Sequence, residues 1–461
     1  NQLAVKIAAI RSRLQRFGKN IRVGLTWDWL YESPDPLEHL PAPTAPTRTV
    51  ATGVPLKGVG DPAWDFLLRS GPSPFTAEEL SRHLRDVESE LGPVWTTLQP
   101  LDADNYDLET RVRDLIERMV AIRMSNAAVA LVPDPISSYN GLLNDDLSPT
   151  ELLLPFRTAS YALAGAEYVG SIELPSRAPN HVFRRGREMV MVIWSDHDTS
   201  EAVSLGENLQ STDCWGRTTA LPSEQGKTVL RIGHEPQFVS GLEAALVDWQ
   251  MKTRLGAKLI PSVIGQQQYL TVLFDNTFAE GVAGTVTVSA EGLWDQPQIE
   301  AFKASPGEPI RLDFPFALRP SVSTDKQQLE ISFDVAGHRR HRFRLERDIE
   351  IGIPDVYIDT AVQVDGNKIL IHATVVNDSE EPVNFNLYLF APDRKRLRAQ
   401  VTALEPGRQR RTFIVDDAAD MMERAFWLRA EEMRGNRVLN YRIPGPKSVR
   451  TSADEEVGAT R

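Results

Sequence analysis

The sequence predicts a multidomain protein in which an α/β portion, residues 1–175, is followed by all-β domains. Two observations indicate this order. Apolar residues at helical spacing alternate with short apolar runs through the first 175 residues. From residue 176 onward, short strand-like segments are separated by turn signals such as Asp365-Gly366. The length of 461 residues suits about three or four domains of roughly 100–200 residues each.

Helices are predicted at four places in the α/β portion. The first, Asn1–Lys19, carries an apolar face from its first turn. The second begins at Thr76, which can form a capping box with Glu79. The third follows Asp107, and the fourth spans Glu151–Ala166. Because the chain opens inside a helical pattern, we expect an upstream part of the same protein outside this sequence.

Three apolar runs alternate with these helices and are predicted to be strands: Ile21–Trp29, Val94–Leu101 and Ala127–Val132. Such runs are typical of parallel strands that are covered on both faces. The alternation favours either an open doubly wound sheet or part of a (β/α)8 barrel. A whole barrel needs roughly 200–250 residues, so a barrel here would be its C-terminal part, about the last three βα units. The Pro-rich segment 32–62 is predicted to be a loop.

Antiparallel β-structure is predicted after residue 175. Residues 176–250 are expected to form a small antiparallel β-domain, and residues 251–352 and 353–446 two immunoglobulin-like β-sandwiches. The two sandwiches are alike in length and layout, but no residue-level repeat is evident. The polar tail 447–461 is predicted to be disordered. The sandwich strands are expected at Tyr269–Phe274, Thr285–Ser289, Ile310–Phe314, Gln328–Val335, Arg342–Leu345, Val356–Val364, Ile369–Val376, Asn384–Phe390, Arg411–Val415, Arg424–Ala430 and Val438–Ile443.

The charge balance argues against nucleic acid as a partner. The formal net charge is -12, whereas phosphate binding needs a basic surface. The basic run Arg339–Arg342 lies in a strand pattern and is interpreted as a solvated face. The single cysteine, Cys214, excludes an intrachain disulfide. No apolar run reaches the ~18 residues of a membrane span, so none is predicted.

Five segments carry a resemblance to a known family: Glu151–Ser160, Tyr168–Ser171, Val182–Gly186, Val192–Ser195 and Asp213–Gly216. In order and pattern they are similar to bacterial glycoside hydrolases of the (β/α)8-barrel clan. The resemblance covers roughly residues 1–241. It implies that residues 1–175 are the C-terminal part of such a barrel, that the small β-domain packs back on it, and that the sandwiches are accessory modules.

The resemblance also implies two catalytic glutamates, at the ends of the fourth and seventh barrel strands. Glycoside cleavage uses two carboxyl groups of this kind. On this assignment the fourth strand lies upstream of Asn1, and Gln99 stands at the end of the seventh. An amide cannot act as a carboxylate nucleophile. Asp28 and Asp102 are the remaining catalytic candidates, and the active site is expected to be incomplete in this chain.

Trp27, Asp28, Trp29 and Gln99 are the predicted carbohydrate-binding residues. An aromatic face can stack on a pyranose ring while a carboxylate accepts hydrogen bonds from its hydroxyls, in a concave site at strand ends. The alternative is that both tryptophans pack under helices. The sequence shows no histidine spacing typical of a metal site, no phosphate loop and no dinucleotide motif, so neither a metal nor a cofactor is predicted.

Two functions are compatible with these features. One is the C-terminal portion of a glycoside hydrolase-like protein that acts on or binds carbohydrate. The alternative is a non-catalytic carbohydrate-binding or cell-surface structural or adhesion protein built on a degenerate barrel. The presence of Gln99 in place of a catalytic acid favours the second function. An extracellular or periplasmic location is inferred from the architecture and not from a targeting signal.

Overall fold

The computed structural model describes residues 76–91, 95–125, 127, 129–132, 135–224, 226–290, 293–416 and 418–446. The chain forms two compact units, and the division falls between Val247 and Asp248. The described residues are 49% strand and 14% helix. The predicted helix Asn1–Lys19, strand Ile21–Trp29, loop 32–62 and tail 447–461 lie outside the described residues.

Three helices lie in the described part of the first unit: α1 (Ala77–Leu91), α2 (Leu108–Met124) and α3 (Leu153–Leu163). Helix α1 begins at the predicted capping box, in which the Glu79 backbone N–H donates to the Thr76 hydroxyl at 3.2 Å and the Thr76 N–H donates to the Glu79 carboxylate at 3.0 Å. Helix α2 begins after Asp107, whose carboxylate accepts from the Thr110 N–H at 2.8 Å. Both predicted helix starts are confirmed.

The strands in the described part of the first unit are β1 (Trp95–Thr97), β2 (Val129–Leu131), β3 (Glu167–Gly170), β4 (Asn180–Arg185), β5 (Glu188–Ile193), β6 (Thr199–Val203), β7 (Gln210–Thr212), β8 (Thr218–Ala220), β9 (Ser223–Glu224), β10 (Lys227–Ile232) and β11 (Gln237–Ser240). They form three sheets. Strands β1 and β2 are parallel, β6-β10-β9 form a small antiparallel sheet, and β3-β4-β5-β11-β7-β8 form a six-stranded antiparallel sheet.

The predicted barrel portion is wrong, and so is the assignment to the glycoside hydrolases of the barrel clan that depended on it. Within the described residues, parallel pairing in this region consists of β1 and β2, which are joined by three residue pairs, and an isolated bridge between Ile136 and Leu143. Helices α1, α2 and α3 share one core with the six-stranded antiparallel sheet, through Leu80, Leu115 and Ala159 on the helices and Phe183 and Phe238 on the sheet. Helical periodicity shows which face of a helix is apolar, but it does not show what covers that face.

The division between the two units falls within helix α4 (Ala244–Lys252). The second unit therefore begins with the last residues of α4, from Asp248, and contains the remaining strands. The strands are β12 (Arg254–Leu255), β13 (Leu259–Pro261), β14 (Gln267–Asp275), β15 (Val282–Ala290), β16 (Gln298–Ala304), β17 (Pro309–Ala317), β18 (Lys326–Ala336), β19 (Arg340–Gly352), β20 (Val356–Asp365), β21 (Lys368–Asn377), β22 (Val383–Phe390), β23 (Leu397–Leu404), β24 (Gly407–Val415), β25 (Phe426–Glu432) and β26 (Val438–Ile443), with a 3-10 turn at Ala418–Met421.

The first sandwich pairs the sheet β12-β14-β17 with the sheet β13-β19-β18-β15-β16. Its core is aromatic. Trp249 of α4 is fully buried, and its ring centroid lies 5.2 Å from that of Phe274 and 5.9 Å from that of Phe333. Because Phe274 and Phe333 belong to different sheets and also lie 5.2 Å apart, these rings hold the two sheets together.

The second sandwich pairs β20-β21-β24 with β23-β22-β25-β26. Buried residues alternate along its strands, so Ile369 and Ile371 of one sheet share a core with Phe385 and Leu428 of the other. The predicted hairpin at Asp365-Gly366 is confirmed, since Asp365 pairs with Lys368. No described helix is long and apolar enough to cross a bilayer.

Hydrogen bonds join the two sandwiches within the second unit. Asn440 of β26 is buried and donates through its side-chain amide to the carbonyls of Pro320 and Val322 at 2.9 and 2.8 Å. Its backbone N–H donates to the Thr324 hydroxyl at 2.8 Å. The Ser262 hydroxyl donates to the Val438 carbonyl. The sandwiches therefore share buried polar contacts that neither could satisfy alone.

Candidate functional site

A cleft of about 830 Å³ opens in the first unit, between helix α3 and the six-stranded sheet. The sheet face beneath it is continuous. Val190 lies opposite Ser240, Phe238 opposite Thr212, and Thr212 opposite Thr218, so these side chains point to the same side. Part of this face is covered by the helices, and the part that carries Ser240, Thr212 and Thr218 lines the cleft.

Helix α3 forms one wall of the cleft. Arg157, Thr158, Tyr161 and Ala162 line it, and their spacing of one, four and five residues places them on one helix face. The Tyr161 side chain is 77% exposed. A large aromatic ring left this open at the edge of a concave site is a common feature of ligand-binding surfaces.

The hairpin between β4 and β5 forms a second wall. Gly186, at φ +62, allows the tight turn that joins the two strands. Arg185 donates to the Tyr161 carbonyl at 3.2 Å and pairs with Glu188 at 3.2 Å. Its guanidinium carbon also lies 5.8 Å from the centroid of the Tyr161 ring. Arg185 therefore holds the end of α3 to the hairpin and covers one face of the tyrosine.

The turn at Asp213–Arg217 forms the third wall. The Asp213 carboxylate accepts from the backbone N–H groups of Trp215 and Arg217 at 3.0 and 2.9 Å and pairs with the Arg217 side chain at 2.6 Å. Gly216 has φ +86, and a Cβ on it would lie 3.2 Å from the Thr158 hydroxyl. A side chain at this position would therefore press against the wall formed by α3.

Two glycine-dependent turns complete the rim. Gly241 has φ +78, and a Cβ on it would collide with the carbonyl oxygen of Asn208. Gly206 has φ +144, and a Cβ on it would lie 3.0 Å from the Gly241 carbonyl oxygen. Because Asn208 and Gly241 both line the cleft, the close approach of these two backbone segments forms part of its rim.

The charge of the cleft is positive. Its described lining contains the arginines Arg157, Arg185 and Arg187 and one carboxylate, Glu188. Glu188 is paired with Arg185. Within the described residues, Arg157 and Arg187 make no ion pair. Two guanidinium groups, one on α3 and one on the β4–β5 hairpin, are therefore available to a ligand, in a chain whose net charge is -12.

Cys214 lies next to the cleft but is unsuited to nucleophilic chemistry. Its thiol is buried and donates to the Glu235 carboxylate at 3.4 Å. Burial raises the pKa of the Cys214 thiol well above its ordinary value, and the neighbouring negative charge of Glu235 raises it further. The thiol is therefore protonated at neutral pH, and the thiolate that would react is not formed.

A buried histidine lies between α1 and the same sheet. His181 of β4 is fully buried, its ring centroid is 5.2 Å from that of Trp194, and neither ring nitrogen has a hydrogen-bond partner among the described residues. Burial lowers the pKa of His181, and Glu78, whose carboxylate lies 3.6 Å from the ring, opposes that effect. His181 is therefore held as a neutral ring.

The two predicted site residues that the structure describes, Gln99 and Asp102, lie outside the cleft. Trp27, Asp28 and Trp29 are outside the described residues. Gln99 follows β1, and its backbone carbonyl accepts from Arg118 at 2.8 Å. Asp102 closes a local turn, accepting from the Asp104 N–H at 2.9 Å and from the Asn105 amide at 2.9 Å. Neither Gln99 nor Asp102 lines the cleft.

Sequence reasoning did not identify the cleft residues as a site. The segments Val182–Gly186 and Asp213–Gly216 stand out by their pattern, but the sequence does not indicate that they share a location. The available signals were the arginines around Gly186 and the isolated glycines Gly216 and Gly241, since a glycine within a strand pattern indicates close backbone approach.

A second hollow, of about 310 Å³, lies on the first sandwich and is lined by Trp294, Gln328, Glu330 and Glu346. Arg344 pairs with Glu330 at 3.1 Å and with Glu346 at 2.9 Å. Its acidic groups are thus already in ion pairs, since Asp295, which also lines the hollow, pairs with Arg319, and its tryptophan N–H already donates to the Pro315 carbonyl at 2.9 Å. The larger cleft of the first unit is the better candidate.

Comparisons with known proteins add little. No protein-family model and no curated protein match this chain. Among solved structures, a red sea bream transglutaminase is 11% identical with a TM-score of 0.21, covering 42% of this chain and 31% of its own. Trypsin-activated alpha-2-macroglobulin from Escherichia coli is 11% identical with a TM-score of 0.27, covering 60% and 24%. A DUF4785 family protein from Legionella pneumophila is 12% identical with a TM-score of 0.18, covering 61% and 89%. The aligned part is less than a third of the length of the first two structures.

Proposed function

We propose that this protein is a non-catalytic carbohydrate-binding protein and that the cleft of the first unit is its binding site. The observation that carries the proposal is the exposed ring of Tyr161 at the edge of a cleft lined by hydroxyl and amide groups. The cleft volume of about 830 Å³ lies within the range of roughly 300–1,000 Å³ typical of small-molecule sites.

The tyrosine is suited to stack on a sugar ring. Arg185 lies over the Tyr161 ring at 5.8 Å, while the side chain remains 77% exposed. The guanidinium contacts one face of the ring and leaves the rest of the side chain open to a ligand. The apolar C–H face of a pyranose is a suitable partner for the open side of an aromatic ring.

Polar groups on the sheet and on α3 are suited to sugar hydroxyls. Thr158, Thr212, Thr218 and Ser240 each carry a hydroxyl that can donate and accept, and Asn208 carries an amide that does both. They come from separate elements that the sheet register holds in place. A rigid array of this kind can recognise several hydroxyls at once.

The composition of the cleft supports binding and not cleavage. Hydrolysis by the usual route needs two carboxyl groups roughly 5–10 Å apart. The described lining contains Glu188 as its one carboxylate, and Glu188 is paired with Arg185. The β-sandwiches of the second unit then belong to a multidomain binding or adhesion protein, for which we also propose an extracellular or periplasmic location.

Binding of the full chain to an array of oligosaccharides tests this proposal. We expect specific binding to a subset of glycans, and we expect Tyr161→Ala to weaken it by about tenfold, equivalent to about 1.4 kcal/mol. Tyr139→Ala is the matched control, because Tyr139 is 60% exposed but lies outside the cleft. Absence of binding to every glycan, or equal losses for the two variants, would refute the assignment of the site.

A further inference from the structure

We infer that the saccharide bound in the cleft is anionic, carrying carboxylate or sulfate groups; this inference rests on the proposed function. The observation behind it is the imbalance of charge in the described lining, where Arg157, Arg185 and Arg187 face a single carboxylate, Glu188. A neutral sugar would leave this positive charge without a partner in the complex.

The arginines have different roles. Arg185 is occupied, because it pairs with Glu188 at 3.2 Å and donates to the Tyr161 carbonyl at 3.2 Å. Arg157 and Arg187 have no ion pair among the described residues. Arg157 projects from α3 and Arg187 from the turn between β4 and β5, so the two lie on different walls of the cleft.

This placement favours a ligand with charges at more than one position. A guanidinium presents a planar fork of N–H donors that matches carboxylate and sulfate oxygens bidentately. Two such forks separated across a cleft can each hold one anionic group of an oligosaccharide, while Tyr161 stacks on a ring between or beside them. The net charge of -12 for the whole chain repels polyanions elsewhere, which makes a local positive site selective.

The test measures the affinity of the full chain for matched probes by isothermal titration calorimetry. The probes are a uronic-acid hexasaccharide, the same hexasaccharide after reduction of its carboxyl groups, a sulfated neutral hexasaccharide, and a polyglutamate peptide of similar charge. We expect one anionic saccharide to bind at least tenfold more tightly than the neutral one, and its identity distinguishes carboxylate from sulfate. Affinity should fall as ionic strength rises.

Substitutions of the two arginines test whether they cause the preference for an anionic saccharide. Arg157→Ala and Arg187→Ala should each weaken binding of the anionic saccharide by about tenfold and reduce its salt dependence. Arg231→Ala is the control, because Arg231 is an exposed arginine of β10 outside the cleft. Circular dichroism of each variant establishes that the loss of affinity is not a loss of fold.

The outcomes separate the inference from the proposed function. Equal binding of the neutral hexasaccharide and both anionic hexasaccharides overturns the inference and leaves the carbohydrate-binding function standing. Binding of polyglutamate as tightly as either anionic saccharide overturns the requirement for a sugar. Failure of every saccharide to bind overturns both proposals.

Discussion

Asn276 and Asn377 make the same set of hydrogen bonds, one in each β-sandwich. Each side-chain amide donates to the carbonyl four residues ahead, that of Glu280 at 2.8 Å or Glu381 at 2.9 Å. Each also donates to the end of a later strand, at Ala304 or Leu404. Each side-chain oxygen accepts from the N–H two residues ahead. The two sandwiches thus contain a residue-level repeat.

We expect the two asparagines to stabilise their sandwiches by similar amounts. Both are buried, so Asn276→Ala or Asn377→Ala leaves carbonyl groups unpaired and should lower the free energy of unfolding by about 1–3 kcal/mol. Asn276→Asp and Asn377→Asp should lower the free energy of unfolding further than the alanine variants, because a carboxylate would face carbonyl oxygens. Urea unfolding measures the change, with Gln296→Ala, at an exposed position, as the control. A negligible change in the free energy of unfolding at either asparagine would contradict the expectation that both stabilise their sandwiches by similar amounts.

Gly241 is expected to be required for the shape of the cleft. A Cβ there would collide with the Asn208 carbonyl at a positive φ. Gly241→Ala should therefore lower stability by about 1–3 kcal/mol and weaken ligand binding. Gly226→Ala is the matched control, because Gly226 has φ +77 but nothing within 4 Å of its Cβ position. Thermal unfolding should show a larger loss of stability for Gly241→Ala than for Gly226→Ala, and titration calorimetry a larger loss of affinity. Equal losses for the two variants would show that the contact with the Asn208 carbonyl is unimportant.

His181 is expected to make the first unit less stable at acid pH. Burial lowers the pKa of this histidine in the folded state, with Glu78 opposing. As the pH falls, this histidine is protonated in the unfolded chain before it is protonated in the folded protein. The free energy of unfolding is therefore highest above the ordinary pKa of about 6.5 and decreases as the pH falls below that value. In His181→Phe, the urea midpoint should change less between pH 7.5 and 5.5. A wild-type pH response in His181→Phe would exclude this residue as the cause.

Arg118 and Asp114 form a buried ion pair within α2, with side chains 1% and 3% exposed. Arg118→Met leaves a buried carboxylate without this partner and removes the hydrogen bond to the Gln99 carbonyl, so it should lower the free energy of unfolding by about 3–5 kcal/mol. The double variant Arg118→Met/Asp114→Leu should recover a large part of that loss. Guanidinium unfolding tests both, and a double variant less stable than the single one would contradict this account.

Local features of the fold were predictable from the sequence. The capping box at Thr76 and Glu79, the helix start at Asp107 and the hairpin at Asp365-Gly366 each depend on residues a few positions apart. Strands β16 and β23 were missed because most of their side chains are exposed. Such edge strands show little apolar alternation, and it is their pairing with a neighbour that defines them.

The candidate site was not predictable in the same way. Its walls come from α3, the β4–β5 hairpin, the turn after β7 and the end of β11, which are far apart in the sequence. Only the strand register brings Val190, Ser240 and Thr212 to one face. Gln99 stood out in the sequence because of an assumed barrel, whereas in the structure its carbonyl supports Arg118.

The sequence by itself determined where most helices and strands of the described residues lie, because capping, turns and apolar periodicity act over a few residues. It also determined that the chain is acidic and carries one cysteine. Tertiary structure alone decided that the helices pack on an antiparallel sheet and that Arg157, Tyr161 and Arg187 share a cleft. The physical reason is that hydrophobic burial is non-directional, so an apolar helix face does not specify the surface that will cover it.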